Sequence, residues 1–184
     1  MNRKCHVLEI GALRRNLPLF EVKPGLSIAV LNILGDVELV ETAATALAAR
    51  IEPYRPVALV TPEAKSIPLA YALSMRLQLP YVVLRKNYKP YMGDALSVGT
   101  NSITTGAQQT LYLDAKDREL IHDAPIVLVD DVISTGSTLR AMRMLMQRAQ
   151  AQVVAETAIC TEGLPEDWPD VIALAHLPLF TDNA

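Results

Sequence analysis

The chain is poor in the residue types that build covalent or metallic frameworks. It has two cysteines, Cys5 and Cys160, far apart and without a CxxC spacing. That pattern excludes a disulfide scaffold and leaves two buried thiols as the expectation. His6, His122 and His176 are equally scattered, so no zinc site is expected from them and no metal site built from protein ligands alone. No segment approaches the roughly 20 apolar residues of a membrane span. At the start of the chain, His6 and Glu9 interrupt the apolar stretch that a signal peptide would need. A cytoplasmic protein without a membrane partner is the expectation. Charge of one sign is also missing: Lys and Arg total 17 against 20 Asp and Glu, for a net charge of −3. Without an overall basic surface, nucleic acid is not an expected partner, although a small anion can still find a local site. The absence of GxxxxGK[ST] removes the P-loop kinases. Repeats and low-complexity tracts are missing too, and the 12 prolines are dispersed instead of forming a linker. One domain over residues 1–184 is the simplest organisation.

What is present is a core-forming composition, 51% hydrophobic, arranged in alternating periods. Val37, Val40, Ala44, Leu47 and Ile51 recur at helical spacing, with Asp36 placed to cap and Glu38 and Glu41 in the first turns, so a helix ending before Pro53 is predicted. Residues 57–60, 81–84 and 126–129 are short apolar runs that read as strands, 153–159 reads as a further strand, and 67–77 and 139–149 read as helices. Such alternation predicts an α/β fold, a mostly parallel sheet flanked by helices, with the binding site in the loops after the carboxyl ends of the strands. Those loops are 61–66, 85 onward, and 130–138. Residues 85–109 are polar, contain Gly93, Gly99 and Gly106, and are too long for an ordinary connection. They read as a mobile flap, with short strands at 95–98 and 110–113.

The most informative stretch is Ile126-Val-Leu-Val-Asp130-Asp131-Val132-Ile133-Ser134-Thr135-Gly136-Ser137-Thr138. An apolar strand runs into two carboxylates and then into a hydroxyl-rich turn before a helix. Backbone amides around Gly136 can surround a phosphate monoester, and Ser134, Thr135, Ser137 and Thr138 add hydroxyl donors. Adjacent carboxylates suit the vicinal hydroxyls of a ribose. Each residue alone could be ordinary helix-start chemistry; the ordered combination after an apolar strand points to a sugar phosphate.

This stretch resembles the signature of the type I phosphoribosyltransferases. The resemblance extends over roughly residues 15–160 and runs most closely toward the adenine enzymes, through Leu17-Pro18, Phe20, Lys23-Pro24-Gly25, Arg85-Lys86 and Lys89-Pro90. It implies the fold of that family with a mobile flap, and a small hood built from the N-terminal segment and residues 160–184. It implies that Asp130 and Asp131 hold the ribose hydroxyls of phosphoribosyl pyrophosphate and that Ser134 to Thr138 hold its 5′-phosphate. Glu63, Ala64, Lys65 and Ser66 stand in the position of the family's pyrophosphate loop, which often contains a non-proline cis peptide. Lys65, Arg85, Lys86 and Lys89 supply cations at the ends of two neighbouring strands, where pyrophosphate would lie. Asp130, Asp131, Arg85 and Lys86 are thus the expected catalytic set. Magnesium is the expected cofactor, carried mainly by the substrate, and a homodimer is the expected assembly.

The resemblance implies transfer of the sugar to a purine, with adenine favoured. Two segments depart from the adenine pattern. Ile28, Ala29 and Val30 stand where a Phe-Arg-Asp-like string would line the base. In the flap, Asn101-Ser102-Ile103-Thr104-Thr105-Gly106 puts Thr104 where a glutamate would assist at the base. The alternatives are a xanthine or hypoxanthine enzyme, whose pyrophosphate loop is similar to residues 61–66, and a sensor that binds phosphoribosyl pyrophosphate without turning it over.

Overall fold

The computed structural model describes residues 4–101 and 108–181. In chain order the elements are β1 (Cys5–Ile10), β2 (Leu13–Lys23), β3 (Leu26–Ala29), α1 (Val37–Ile51), β4 (Ala58–Pro62), α2 (Ile67–Leu77), β5 (Tyr81–Leu84), β6 (Leu96–Asn101) and β7 (Gln108–Leu113). There follow α3 (Arg118–Ile121), β8 (Pro125–Ile133), α4 (Ser137–Arg148), β9 (Gln152–Glu162), β10 (Val171–Leu177) and β11 (Phe180–Thr181). Helix α1 begins where its cap predicts: the Asp36 carboxylate accepts the Leu39 N–H at 3.0 Å. Arg15, on β2, closes on the same carboxylate at 2.6 Å and on Glu38 at 2.7 Å. That ion pair ties the N-terminal strands to the body of the protein, and hydrogen bonding from Arg15 is the main force lowering the Asp36 pKa.

Strands β10, β9, β8, β4 and β5 form one parallel sheet in that order. The period-2 alternation of its strands feeds two cores. Leu59, Val127, Val129 and Ile159 face α1 and α2, with Leu47, Leu69 and Leu73. Ala58, Val60, Ile126, Leu128 and Ala158 face the other way, onto α4 and the β6–β7 hairpin, with Leu111, Leu139, Met142 and Leu145. Burial on both faces is why residues 57–60, 81–84 and 126–129 read as unbroken apolar runs. Strands β1, β2, β3 and β11 form a second, antiparallel sheet. Among the described residues no helix is long and apolar enough to cross a membrane.

Several sequence boundaries shift. Strand β8 continues through the acidic pair to Ile133, where 126–129 was expected, and β9 extends to Glu162. The hairpin strands are six residues each, longer than the expected 95–98 and 110–113. Their stems are not loose: Val98, Leu111 and Leu113 are buried, and the guanidinium of Arg148 on α4 donates to the Ser97 carbonyl at 2.6 Å. Strands β1 to β3 and β10 were not anticipated; in β2, exposed positions such as Arg14, Asn16 and Glu21 dilute the hydrophobic signal, whereas β10 is an apolar run that carried its signal and was passed over. Cys5 is exposed while Cys160 is buried; the former sits on the open face at the start of β1. Of the residues 160–184 assigned to a hood, 171–177 lie in the central sheet, and Phe180–Thr181 pair with β3.

Leu47 is fully buried between α1 and the sheet. Leu47→Ala is expected to cost about 2–5 kcal/mol, measured as a lower urea midpoint at unchanged m-value. A loss below about 1 kcal/mol, the range of volume-conserving swaps, would contradict this packing.

Candidate active site

The strand order reverses direction between β4 and β8. From β4 the chain proceeds outward to β5, and from β8 it proceeds the opposite way to β9 and β10. In open parallel sheets a crevice forms at such a switch, outside the carboxyl ends of the strands. Pairing between the two strands ends at Val60 and Leu128, but β8 continues to Ile133. Asp130, Asp131 and Val132 therefore stand on an edge that β4 no longer covers. A cleft of about 230 Å³ opens there, bounded by Pro62, Glu63, Ala64, Lys65 and Ser66 after β4, Lys86 after β5, Leu111 of the hairpin, and Asp130, Asp131, Val132 and Thr138.

Each wall has a local cause. Residues 63–66 connect β4 to α2, and the Glu63–Ala64 peptide is cis. Thr61 and Ser66 are buried, with Thr61 Oγ1 donating to Ser66 Oγ at 2.8 Å and Ser66 Oγ lying 3.1 Å from the Pro62 carbonyl. The Glu63 carboxylate accepts the Lys86 N–H at 2.9 Å and pairs with Arg85 Nε at 3.2 Å. The Lys86 hydrogen bond is the main force holding the Glu63 pKa down, followed by Arg85. Through Glu63 the ends of β4 and β5 are locked together, which leaves the Lys86 side chain facing the cleft. Arg85 is turned toward Glu63 and Tyr91 instead and is not in the cleft wall. Lys89 is exposed in the turn before Pro90–Met92 and also lies outside the wall.

The acidic pair is electrostatically tense. The Asp130 carboxyl sits at the cleft floor, and its pKa is raised well above the usual carboxylate range, first by burial and then by the neighbouring Asp131. The Asp131 N–H donated to Asp130 Oδ1 at 2.9 Å and a hydrogen bond from Ser66 pull the other way without winning. The same burial, with Asp131 and Glu162 adding to it, pushes the Cys160 thiol up to about 12, so this sulfur is no nucleophile at neutral pH.

Beyond the pair, a pocket of about 90 Å³ is formed by Ile133, Ser134, Thr135, Gly136, Ser137, Thr138 and Leu139, with Asp130 and Val132 at its inner end. Gly136 caps α4 in the left-handed region at φ +69°. A side chain there would be strained, and its Cβ would lie 2.5 Å from the Trp168 ring. The amides at the start of α4 thus surround a concavity of phosphate size.

The base-lining expectations fare differently. Ile28 and Ala29 lie in β3, Ala29 buried and Ile28 half-buried, and neither is in the cleft wall. Thr104 lies outside the described residues. Val132 and Leu111 were missed as cleft residues. Val132 was hidden because 130–138 read as a loop, whereas in an extended strand Asp130 and Val132 fall on one face. Leu111 is a hairpin residue whose reach to the cleft depends on packing against α4.

Residues 31–170 match the phosphoribosyl transferase domain family, and the chain belongs to it. It is 34% identical over 105 residues to a hypoxanthine/guanine phosphoribosyltransferase of Methanococcus voltae. That match covers 57% of this chain but only 52% of the relative, so the chain spans about half the length of such enzymes. With a xanthine phosphoribosyltransferase of Chloroflexus aurantiacus it shares 28% identity over 160 residues, covering 83% of this chain and 75% of the relative. The fold is similar to that of adenine phosphoribosyltransferase from Thermoanaerobacter pseudethanolicus, at TM-score 0.69 and 21% identity, over 87% of this chain and 95% of the other. It is also similar to that of the Giardia lamblia enzyme complexed with 9-deazaadenine, at TM-score 0.71 and 17% identity, over 87% and 93%. The architecture is therefore the type I phosphoribosyltransferase fold.

The raised Asp130 pKa sets a pH dependence with a definite sign. Below the ordinary carboxylate pKa of about 3.9, Asp130 is protonated whether folded or not, and burial carries no penalty. As pH rises from there through the raised folded value, the folded state holds a proton the unfolded chain has released, and the stability it contributes is lost. Asp130→Asn is accordingly expected to raise the melting temperature of the ligand-free protein near pH 7, with the gain vanishing toward pH 4. A lower melting temperature at pH 7 would contradict this.

Proposed function

We propose that the chain is a phosphoribosyltransferase that binds phosphoribosyl pyrophosphate in the β4–β8 crevice and transfers the sugar to a purine base, releasing pyrophosphate. The observation that carries this reading is the single cleft in which residues 63–66, Lys86, Asp130, Asp131 and Thr138 converge, continued by the phosphate-sized turn of 134–138. Laid into it, the 5′-phosphate takes the amides and hydroxyls of Thr135 to Thr138, the ribose diol takes the acidic pair, and the pyrophosphate takes residues 63–66 and Lys86. Arg85 acts through Glu63 in this arrangement, and Lys89 has no assigned contact.

The chemistry asked of the protein is positioning and charge stabilisation. As the anomeric C–O bond breaks, positive charge grows on the sugar and negative charge on the leaving group. Asp130 and Asp131 fix the ring through its hydroxyls and stabilise the cationic sugar, while Lys86 and Lys65 neutralise the departing pyrophosphate. Magnesium prefers six hard oxygen ligands. The two carboxylates at the cleft are donors of that type but too few to hold the ion alone, which fits an ion carried in by the substrate's own oxygens. Its contribution is to screen the charge of the leaving group. Closure of the flap read over residues 85–109 would exclude water from the activated sugar.

Adenine is the favoured base on the resemblance at residues 17–25 and 85–90. A 6-oxopurine is the second reading, supported by the hypoxanthine/guanine and xanthine relatives and by Thr104 standing where the adenine pattern has a flap glutamate. A homodimer is the proposed assembly and the cytoplasm the proposed compartment.

Pyrophosphate release should be followed with phosphoribosyl pyrophosphate, magnesium and a panel of adenine, hypoxanthine, guanine, xanthine, uracil and orotate. Release is expected with a purine alone, and it should be lost together with calorimetric substrate binding in Asp131→Asn. Release confined to a pyrimidine would overturn the purine assignment. Binding without release for any base would make the chain a sensor. Lys86→Ala is expected to lower kcat more than it raises KM for phosphoribosyl pyrophosphate, because its charge matters most as pyrophosphate departs. A change confined to KM would contradict that role.

A further inference from the structure

Two residues outside the 126–138 motif hold the phosphate turn from behind. Ser134 Oγ lies 2.5 Å from the Glu162 carboxylate and donates to it. A hydroxyl has one hydrogen. Spent on Glu162, it leaves the Ser134 hydroxyl only lone pairs to turn toward a phosphate, which needs donors. Glu162 is the last residue of β9, and it is 7% exposed. Its main-chain carbonyl accepts the indole N–H of Trp168 at 3.1 Å, and the ring of Trp168 lies against Gly136, within 2.5 Å of where a Cβ would stand. One residue at the end of β9 therefore grips the turn at both flanks, at Ser134 through its carboxylate and at Gly136 through the indole it orients.

A stability role explains this arrangement poorly. Burying a carboxylate is unfavourable unless it is paired or well hydrogen-bonded, and among the described residues Glu162 has no cation within ion-pair distance. It also places negative charge behind a turn that receives an anion. What the contact does supply is a fixed shape. The geometry points to Glu162 as a positioning residue that presets the turn so that the donors of Thr135 to Thr138 converge on the 5′-phosphate, with Ser134 serving this clamp instead of the ligand. The inference rests on the phosphoribosyl pyrophosphate reading given above.

The test is a double-mutant cycle on the full chain, read by calorimetric titration with phosphoribosyl pyrophosphate and magnesium and by steady-state kinetics. Glu162→Ala and Ser134→Ala are each expected to weaken phosphoribosyl pyrophosphate about tenfold, the scale of one lost charge-assisted hydrogen bond, with KM for the base unchanged. The double variant should be no weaker than either single one, because both remove the same clamp. Glu162→Gln should recover most of the loss, since its side-chain carbonyl still accepts from Ser134. Should Glu162→Ala fail to fold, Trp168→Phe removes both the indole hydrogen bond and the outer ring carbons that reach Gly136, and it should show the same loss confined to phosphoribosyl pyrophosphate. The clamp is overturned if Ser134→Ala weakens binding while Glu162→Ala or Trp168→Phe does not, if the two losses multiply, or if Glu162→Gln is as impaired as Glu162→Ala. Wild-type protein that binds no phosphoribosyl pyrophosphate would sink the functional reading as well, whereas the other results sink the clamp alone.

Discussion

The constraint on which the rest depends is the unequal length of two neighbouring parallel strands. Strand β8 outlasts its pairing with β4 by five residues, 129–133, at the point where the sheet's connections diverge. That overhang exposes one edge bearing Asp130, Asp131 and Val132 to a crevice. It also sets the helix start at Ser137 within reach of the same crevice. The remaining features serve this geometry. Two apolar cores fix β8 from both faces, Glu63 joins the ends of β4 and β5, and α4 anchors the hairpin stems beside the cleft.

The overhang comes at an electrostatic penalty visible in Asp130. A carboxyl at a protein-lined floor, beside a second carboxylate, has a pKa raised by burial and by like charge. Ligand-free protein therefore carries local tension that the hydroxyls of the proposed substrate would relieve. Strained or destabilised groups of this kind cluster where ligands bind. The hydrogen bonds to Asp130 from Ser66 and from the Asp131 amide reduce the tension without removing it.

The parts of this design that are local in sequence were legible there. The Asp36 cap, the 67–77 helix and the β4–loop–α2 unit follow from spacing and cap chemistry, and the ordered string 126–138 marked a strand and the turn that starts α4. Whatever depended on distant packing was hidden. Arg85 reads as a free cation beside Lys86, yet Glu63, 22 residues earlier in the chain, captures it. Ser134 reads as a phosphate donor, yet Glu162 takes its hydrogen from 28 residues away. Strands β1 to β3 carry alternating polar residues on a half-exposed sheet, so no single window exceeds the background. The extension of β8 through two aspartates was masked because paired carboxylates are unfavourable in a strand interior and read as a loop.

We propose the edge of β8 beyond Leu128 as a phosphoribosyl pyrophosphate site. A crystal structure of the protein with phosphoribosyl pyrophosphate and magnesium tests it most directly. The ribose hydroxyls are expected on Asp130 and Asp131, the 5′-phosphate inside the turn of residues 135–138, and the pyrophosphate against residues 63–66 and Lys86. A sugar phosphate bound elsewhere, or lying in the cleft with its 5′-phosphate at residues 63–66, would contradict it.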